Sequence, residues 1–184
     1  MKLCGKKNVF TAVFLITVII CFICVMLAVN QQKNQPKKRL TDGISKALSI
    51  DVTDGTVLYS EDSHGGFHGD GMSFTKIQFK SRVCLEEIEN SADWSRLPLP
   101  EEMSVLLYGG KIAGLSYEPL RFGSTNAPCM SKAVENGYYY FSDRLARDNP
   151  KSEKENFLER GSYNFDLAIY DADTDIMYYI VFDT

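Results

Sequence analysis

Residues 164–183 read NFDLAIYDADTDIMYYIVFD and predict the structure on which the fold depends. In the first half every second residue from Phe165 to Ile169 is apolar, with polar Asn164 and Asp166 between them. The second half repeats this alternation from Ile176 to Phe182, and a polar stretch separates the two halves. Because alternate residues of a strand point to the same face, this pattern predicts a β-hairpin with an apolar face toward the core.

The elements upstream of the hairpin complete the fold class. Two strands are predicted at Thr56–Asp62 and Met72–Lys80, and the glycine-rich loop between them favours an antiparallel pair. Helical patterns follow at Arg82–Asn90 and Pro100–Tyr108, and the aromatic run Tyr138–Asp143 predicts a further strand. The order of strands, helices and strands predicts an α+β domain with an antiparallel β-sheet and helices on one face.

Weaker patterns occupy the remaining segments of this domain. Gly109–Asn126 is interpreted as a loop or a short hairpin, and Pro128–Asn136 as a short helix. Ser152 and Glu155 have the spacing of a capping box, which predicts one more helix there. Trp94, before the second helical pattern, is predicted to be a core residue packed where the two helices meet.

The N-terminal part carries a different signal. Val9–Val29 is an uncharged run without glycine or proline, and a helix of that length spans about 31 Å, the thickness of a bilayer core. Lys2, Lys6 and Lys7 precede it, as in an export signal. The run exceeds the roughly 7–15 apolar residues of a cleavable signal. It therefore predicts an uncleaved transmembrane helix, a signal-anchor, with a cleaved signal peptide as the alternative.

This anchor divides the chain into four predicted parts. Residues 1–8 form a cytoplasmic tail, 9–29 the anchor, 30–47 a juxtamembrane spacer and 48–184 an extracytoplasmic α+β domain. Basic residues flank the anchor on both sides, but a short basic N-terminus stays inside while long domains translocate largely regardless of charge. We therefore expect a single-pass protein of the cell membrane, with the bilayer contacted through Val9–Val29 and the domain outside.

The distribution of charge restricts the partners of the domain. Residues 1–39 contain seven of the 20 Lys and Arg and none of the 24 Asp and Glu, which leaves residues 40–184 with a net charge of −11. Nucleic-acid binding needs a basic face that releases counterions, so nucleic acid is excluded as a partner. Anionic headgroups would repel the same surface.

The stretch Ser63–Gly71, SHGGFHGDG, is the candidate functional loop. Its side chains His64, Phe67, His68 and Asp70 would form a binding surface for a protein or small-molecule partner. Two imidazoles and a carboxylate, from His64, His68 and Asp70, are also a ligand set for a metal ion with an open position for water. The chain is thus interpreted as a binding or interaction module, with a metal-dependent hydrolase as the alternative. The third interpretation gives the loop no function: it is a hairpin loop whose histidines form hydrogen bonds with backbone groups.

Other chemical motifs are incomplete or missing. Asp171, Asp173 and Asp175 resemble the first half of a calcium loop, but Ile176 and Phe182 replace the glycine and glutamate that such a loop needs. A polar hairpin turn is therefore favoured. The sequence contains no P-loop, no dinucleotide fingerprint and no Gly-x-Ser-x-Gly motif. No cofactor is predicted, and no catalytic residue can be assigned.

The cysteines lead to one further hypothesis. Cys21 and Cys24 lie in the apolar run and Cys4 in the N-terminal tail, so only Cys84 and Cys129 belong to the domain. On the oxidising side of a membrane this pair would be able to form one disulfide. Two separate buried thiols are the alternative.

Four segments of the domain carry a resemblance to known sequences. They are HGGFHGDG at 64–71, WSRLPLP at 94–100, GYYYFSDR at 137–144 and FDLAIYDADTDIMYYIVFDT at 165–184. Over roughly Ile50–Thr184 the chain resembles small uncharacterised single-pass membrane-anchored proteins of Gram-positive, clostridia-like bacteria. The resemblance implies a source and a topology. It implies no mechanism, because no activity is assigned to that group.

Overall fold

The computed structural model describes residues 4–65, 69–122, 127–130, 134–148 and 157–184 of the chain, with the backbone alone at 4–14, 28–35 and 127–128. The chain divides into two compact units, Met1–Gly43 and Ile44–Thr184. The predicted domain boundary at residue 48 differs from this division by a few residues.

Helix α1 runs from Cys4 to Leu48, so the predicted spacer 30–47 is helical over its whole length. In the parts of the chain that the structure describes, no helix is both long and apolar enough to cross a membrane. Within the predicted span Val9–Val29, the structure describes side chains only from Leu15 to Leu27. For the other residues of the span it describes the backbone alone.

The second unit is built around a six-stranded antiparallel sheet with the strand order β1-β2-β10-β9-β8-β3. Its elements after α1 are, in chain order, β1 (Thr56–Asp62), β2 (Gly71–Gln78), α2 (Val83–Asn90), β3 (Trp94–Arg96), α3 (Glu101–Tyr108), β4 (Gly110–Ile112), β5 (Leu115–Tyr117), β6 (Arg121–Phe122), β7 (Ala127–Pro128), β8 (Gly137–Asp143), α4 (Arg144–Asp148), a 3-10 turn (Phe157–Glu159), β9 (Asn164–Asp171) and β10 (Ile176–Asp183). The predicted α+β class with an antiparallel sheet is confirmed.

The C-terminal hairpin has the predicted form. β9 and β10 pair from Ile176 opposite Asp171 to Asp183 opposite Asn164. The Asp171 carboxylate organises the turn by accepting hydrogen bonds from the Asp173 backbone N–H at 2.9 Å and the Thr174 hydroxyl at 2.8 Å. A polar turn of this kind satisfies its own backbone donors. The two halves of the hairpin are therefore held in one register, which keeps alternate apolar residues on one face.

Both faces of the sheet are buried at its central strand β9. On the first face, Phe165, Leu167 and Ile169 of β9 belong to one core cluster with Met103 and Leu107 of α3. This is the face that the alternation of the hairpin predicted. Helix α3 covers it because its own apolar residues lie on one side, and Gly109 ends the helix with a backbone N–H bonded to the Val105 carbonyl.

The second face carries residues of the opposite parity. Ala168 and Tyr170 are fully buried there, with the Tyr170 ring 5.9 Å from that of Phe79. The Tyr140 hydroxyl on this face donates to the Ala47 carbonyl at the end of α1, at 3.2 Å. Helical residues therefore cover both faces, which differs from the predicted single face. The reason is that Ala168 and Tyr170 of the central strand β9 are apolar as well, so this strand has two apolar faces.

Three local expectations have different outcomes. Gly109–Asn126 contains the short hairpin of β4 and β5. Trp94 is buried, as predicted, but it starts the edge strand β3 beside β8, with its ring 5.8 Å from that of Tyr140. The helix expected at Pro128–Asn136 is not seen at its described ends, because Pro128 belongs to β7. The capping box at 152 and 155 lies outside the described residues.

Candidate functional site

The base of the glycine-rich loop is fixed where β1 ends and β2 begins. The Ser63 backbone N–H donates to the Met72 carbonyl at 2.9 Å, and the Met72 N–H donates to Ser63 Oγ at 2.9 Å. Gly71 is required here, because a Cβ at this position would lie 2.6 Å from the Cα and the N of His64. Glycine thus allows the two segments that form the loop base to approach each other closely, and the tip of the loop connects them.

His64 lies between two carboxylates at this base. Its Nδ1 is 2.6 Å from Asp62 Oδ1, and its Nε2 is 3.1 Å from Asp183 Oδ2. A carboxylate only accepts hydrogen bonds, so both ring nitrogens donate at once only when the imidazole carries two protons. The His64 backbone N–H also donates to Asp62, which is the largest of the interactions that hold the pKa of the Asp62 carboxyl below its ordinary value.

The contacts continue from Asp183 into the sheet. Asp183 Oδ1 lies 2.9 Å from Arg144 Nη2, and Arg144 Nε lies 3.2 Å from Asp166 Oδ2. Asp166 also accepts a hydrogen bond of 3.2 Å from the Tyr179 hydroxyl. We call this set of connected side chains the His64–Arg144 network. Its members are Asp62, His64, Asp183, Arg144, Asp166 and Tyr179.

Burial and neighbouring charges both shift pKa values inside this network. Burial raises the pKa of the Asp166 carboxyl, and the neighbouring Arg144 charge reduces that effect. Burial also raises the pKa of the Tyr179 hydroxyl, and the charge of Asp166 adds to it. The hydroxyl is therefore a neutral donor over the physiological pH range. Opposite charges pair at a partly buried end of the sheet. This pairing favours a single fixed arrangement of the strand ends over a set of alternative arrangements.

Of the four predicted site residues, the structure describes His64 and Asp70. His64 belongs to the network, whereas Asp70 is exposed in the same loop. Phe67 and His68 lie outside the described residues. Across the described ranges, no group of three His, Cys, Asp or Glu side chains is placed to hold a metal ion. Both nitrogens of His64 already face carboxylates, so a metal ion there would have to displace one of them.

Sequence reasoning found His64 and missed its partners. Asp62 and Asp183 are each the last residue of a strand. The signal for their proximity is the pairing of β10 with β2, which places Asp183 opposite Gly71. Alternation within a strand shows which residues share a face, but it does not show which distant strand lies alongside. Arg144 and Asp166 were missed for the same reason.

A cavity of about 460 Å³ opens at the loop base on the first face of the sheet. Its walls combine aromatic, apolar and charged side chains with the backbone of the loop base; the lining residues are Glu61, Ser63, Gly71, Met72, Arg121, Phe122 and Phe182. The volume falls in the range of about 300–1,000 Å³ that is usual for ligand pockets. The cavity and the His64–Arg144 network therefore flank the same loop base from its two sides.

The hypothesised disulfide is not formed in this structure. Cys84 and Cys129 are both free thiols. Cys84 is fully buried in α2, while Cys129 packs against the core cluster of the first face. Burial raises the pKa of the Cys84 thiol to about 12 and that of Cys129 to about 11. The two residues are thus separate thiols, Cys84 buried and Cys129 half-buried, which is close to the alternative that the sequence left open.

No protein-family model, no curated protein and no solved structure matches this chain. The function is therefore inferred from the loop base and its cavity.

Proposed function

We propose that this protein is a membrane-anchored binding module, with Val9–Val29 in the bilayer and residues 44–184 on the extracytoplasmic side. The site of binding is the cavity at the loop base together with the glycine-rich loop. The observation that carries this proposal is the position of that cavity, which is formed by the same loop that the sequence singles out.

The anchor is supported by the apolar surface of α1. Between Leu15 and Leu27, ten large apolar side chains are each at least 50% exposed. A large side chain gains about 1.5–3 kcal/mol when it is buried rather than left in water, so this surface favours an apolar environment. A bilayer supplies that environment around the whole helix, whereas a protein partner would cover one side of it.

Alkaline carbonate extraction tests the anchor. The full chain is expected to stay in the membrane pellet, and the double variant Ile19→Arg/Ile23→Arg is expected to be released, since each arginine costs about 2.5–3.5 kcal/mol at the centre of a span. For orientation, a cysteine placed at exposed Lys80 should react in intact cells with a membrane-impermeant maleimide. Wild type pelleting no better than the double variant, or labelling only after lysis, would contradict the respective part of the proposal.

The binding site is supported by the chemistry of the cavity walls. Phe122 and Phe182 offer an apolar surface, while Arg121 and Glu61 supply charges of both signs beside it. Such a mixture is typical of sites where apolar contacts give affinity and a few polar groups give orientation. The bonds between Ser63 and Met72 keep the wall in place before a partner arrives, which reduces the entropic cost of binding.

Affinity isolation from native membranes tests this site. A triple variant, Phe67→Ala/His68→Ala/Arg121→Glu, should fold like wild type and lose at least nine-tenths of its partner in quantitative mass spectrometry. Lys80→Ala, just beyond the opposite end of β2, is the matched control and should retain the partner. Equal recovery with both variants would exclude the loop base as the binding surface.

The alternative of a metal-dependent hydrolase rests on His64, His68 and Asp70. It requires His64 to exchange a carboxylate for the metal ion. Elemental analysis of the purified full chain is the test, because a resident metal would be present at about one equivalent and would raise the melting temperature when added back. Less than about a tenth of an equivalent, with no thermal shift, would end this alternative.

A further inference from the structure

A second cavity, of about 320 Å³, lies away from the loop base, between α2, β3 and the start of β8. Four charged side chains line it: Arg82 directly before α2, Glu89 in α2, Arg96 in β3, and Glu135 in the segment before β8. The remaining walls are mostly polar groups and backbone. This cavity shares no residue with the one at the loop base.

The charges around this cavity are held apart by a neutral group. The Arg96 guanidinium lies over the Tyr138 ring at 5.5 Å and donates to the Tyr138 hydroxyl at 3.2 Å. That hydroxyl in turn donates to Glu89 Oε1 at 3.1 Å. Tyr138 therefore stands between the positive and the negative group, and each of them keeps hydrogen-bonding capacity for another partner.

The arginines and glutamates do not neutralise one another directly. Among the ion pairs that the structure describes, none involves Arg82, Arg96, Glu89 or Glu135. Two positive and two negative side chains thus face one small polar space, and their formal charges sum to zero. A ligand that matches this arrangement carries one charge of each sign.

Backbone hydrogen bonds connect the segments that line the cavity. The Leu97 N–H donates to the Gly137 carbonyl at 3.1 Å, and the Ala172 N–H donates to the Asn136 carbonyl at 3.0 Å. A Cβ at Gly137 would lie 1.9 Å from the Tyr170 carbonyl oxygen, so the backbone passes here as closely as glycine allows. The backbone next to Arg96 and Glu135 is therefore hydrogen-bonded at the cavity, while the four charged side chains themselves are exposed.

We propose that this cavity binds a small zwitterion of the amino-acid or short-peptide class. Arg82 and Arg96 would hold its carboxylate, because guanidinium groups match carboxylates with paired hydrogen bonds. Glu135 and Glu89 would hold its ammonium group. A lone anion is disfavoured because residues 40–184 carry a net charge of −11, and a lone cation would leave both arginines unmatched. The volume is at the small end of ligand pockets, which favours a small ligand.

Ligand-observed NMR on the full chain in detergent micelles tests this directly. The probes are alanine and alanylalanine, which are zwitterions, N-acetyl-alanylalanine, which keeps only the carboxylate, and alanylalaninamide, which keeps only the ammonium group. We expect at least one zwitterion to bind saturably and each capped dipeptide to bind at least tenfold more weakly. Equal binding of the N-acetylated form would overturn the zwitterion site, as would the absence of saturable binding by both zwitterions up to about 20 mM.

Three variants locate the binding. Arg82→Gln/Arg96→Gln should weaken binding of the zwitterion at least tenfold, and Glu135→Gln should reduce its advantage over the N-acetylated dipeptide. Arg147→Gln, which removes an exposed guanidinium elsewhere, is the matched control and should bind as wild type does. Unchanged affinity in the double arginine variant would place the ligand elsewhere and contradict the assignment. Loss of the loop-base partner does not bear on this result, because the two cavities are separate.

Discussion

His64 Nε2 lies 3.1 Å from Asp183 Oδ2, although 119 positions separate the two residues in the chain. The contact ties the loop between β1 and β2 to the end of β10, and Arg144 extends it to β9. The loop base is therefore held by side chains from four elements. The proposed binding site depends on this attachment, because the same loop base forms a wall of the 460 Å³ cavity.

Replacing Asp183 with asparagine should lower the free energy of unfolding by about 1–2 kcal/mol, since partly buried charged partners lose their match. Urea denaturation followed by circular dichroism measures the change. Asp70→Asn removes an exposed carboxylate from the same loop and should shift stability by less than about 0.5 kcal/mol. If both variants lose the same stability, the contact to His64 does not hold the loop base.

The pKa of Asp62 gives a dependence on pH whose sign can be worked out. Folding lowers this pKa, so the unfolded chain binds more protons, and the contribution of Asp62 is present above its unfolded value and is lost as the pH falls through the folded one. The stability difference between wild type and Asp62→Asn should thus shrink as the pH is lowered from about 5 toward about 3. A difference that grows over this interval would contradict the sign.

Gly137 and Gly161 form a matched pair for substitution. A Cβ at Gly137 would lie 1.9 Å from the Tyr170 carbonyl oxygen, whereas at Gly161 nothing lies within 4 Å. We expect Gly137→Ala to cost about 3 kcal/mol or more and Gly161→Ala to be within about 0.5 kcal/mol of wild type. Thermal unfolding of the two variants measures this. A Gly137→Ala protein as stable as the Gly161→Ala protein would show that β8 and β9 are not in this register.

The buried thiols should react only after unfolding. With a pKa of about 12, roughly one in 10⁴ Cys84 thiols is ionised at pH 8, and the thiolate is the reactive form. Iodoacetamide should therefore leave Cys84 and Cys129 unmodified in the folded domain and modify both in urea without any reductant. Peptide mass spectrometry distinguishes the sites. Modification in urea that requires prior reduction would restore the disulfide hypothesis.

The local elements were predictable because they depend on neighbouring residues. The alternation from Phe165 to Ile169 predicts a strand, and Pro100 before paired glutamates predicts the start of α3. The second buried face was not predicted, because Ala168 and Tyr170 were not considered as an apolar face of their own. The partners of His64 were not predicted either, since the neighbourhood of β2 and β10 joins residues that are about 100 positions apart.

The most direct test of the binding site is photo-crosslinking from inside the cavity at the loop base. Benzoylphenylalanine at Phe122, a half-buried aromatic position in the cavity wall, is expected to give one discrete adduct when cells carrying the full chain are irradiated. The same residue at exposed Lys80, beyond the other end of β2, is expected to give none. The proposed binding site is contradicted if Phe122 yields no adduct in intact cells, or if the two positions yield the same adducts.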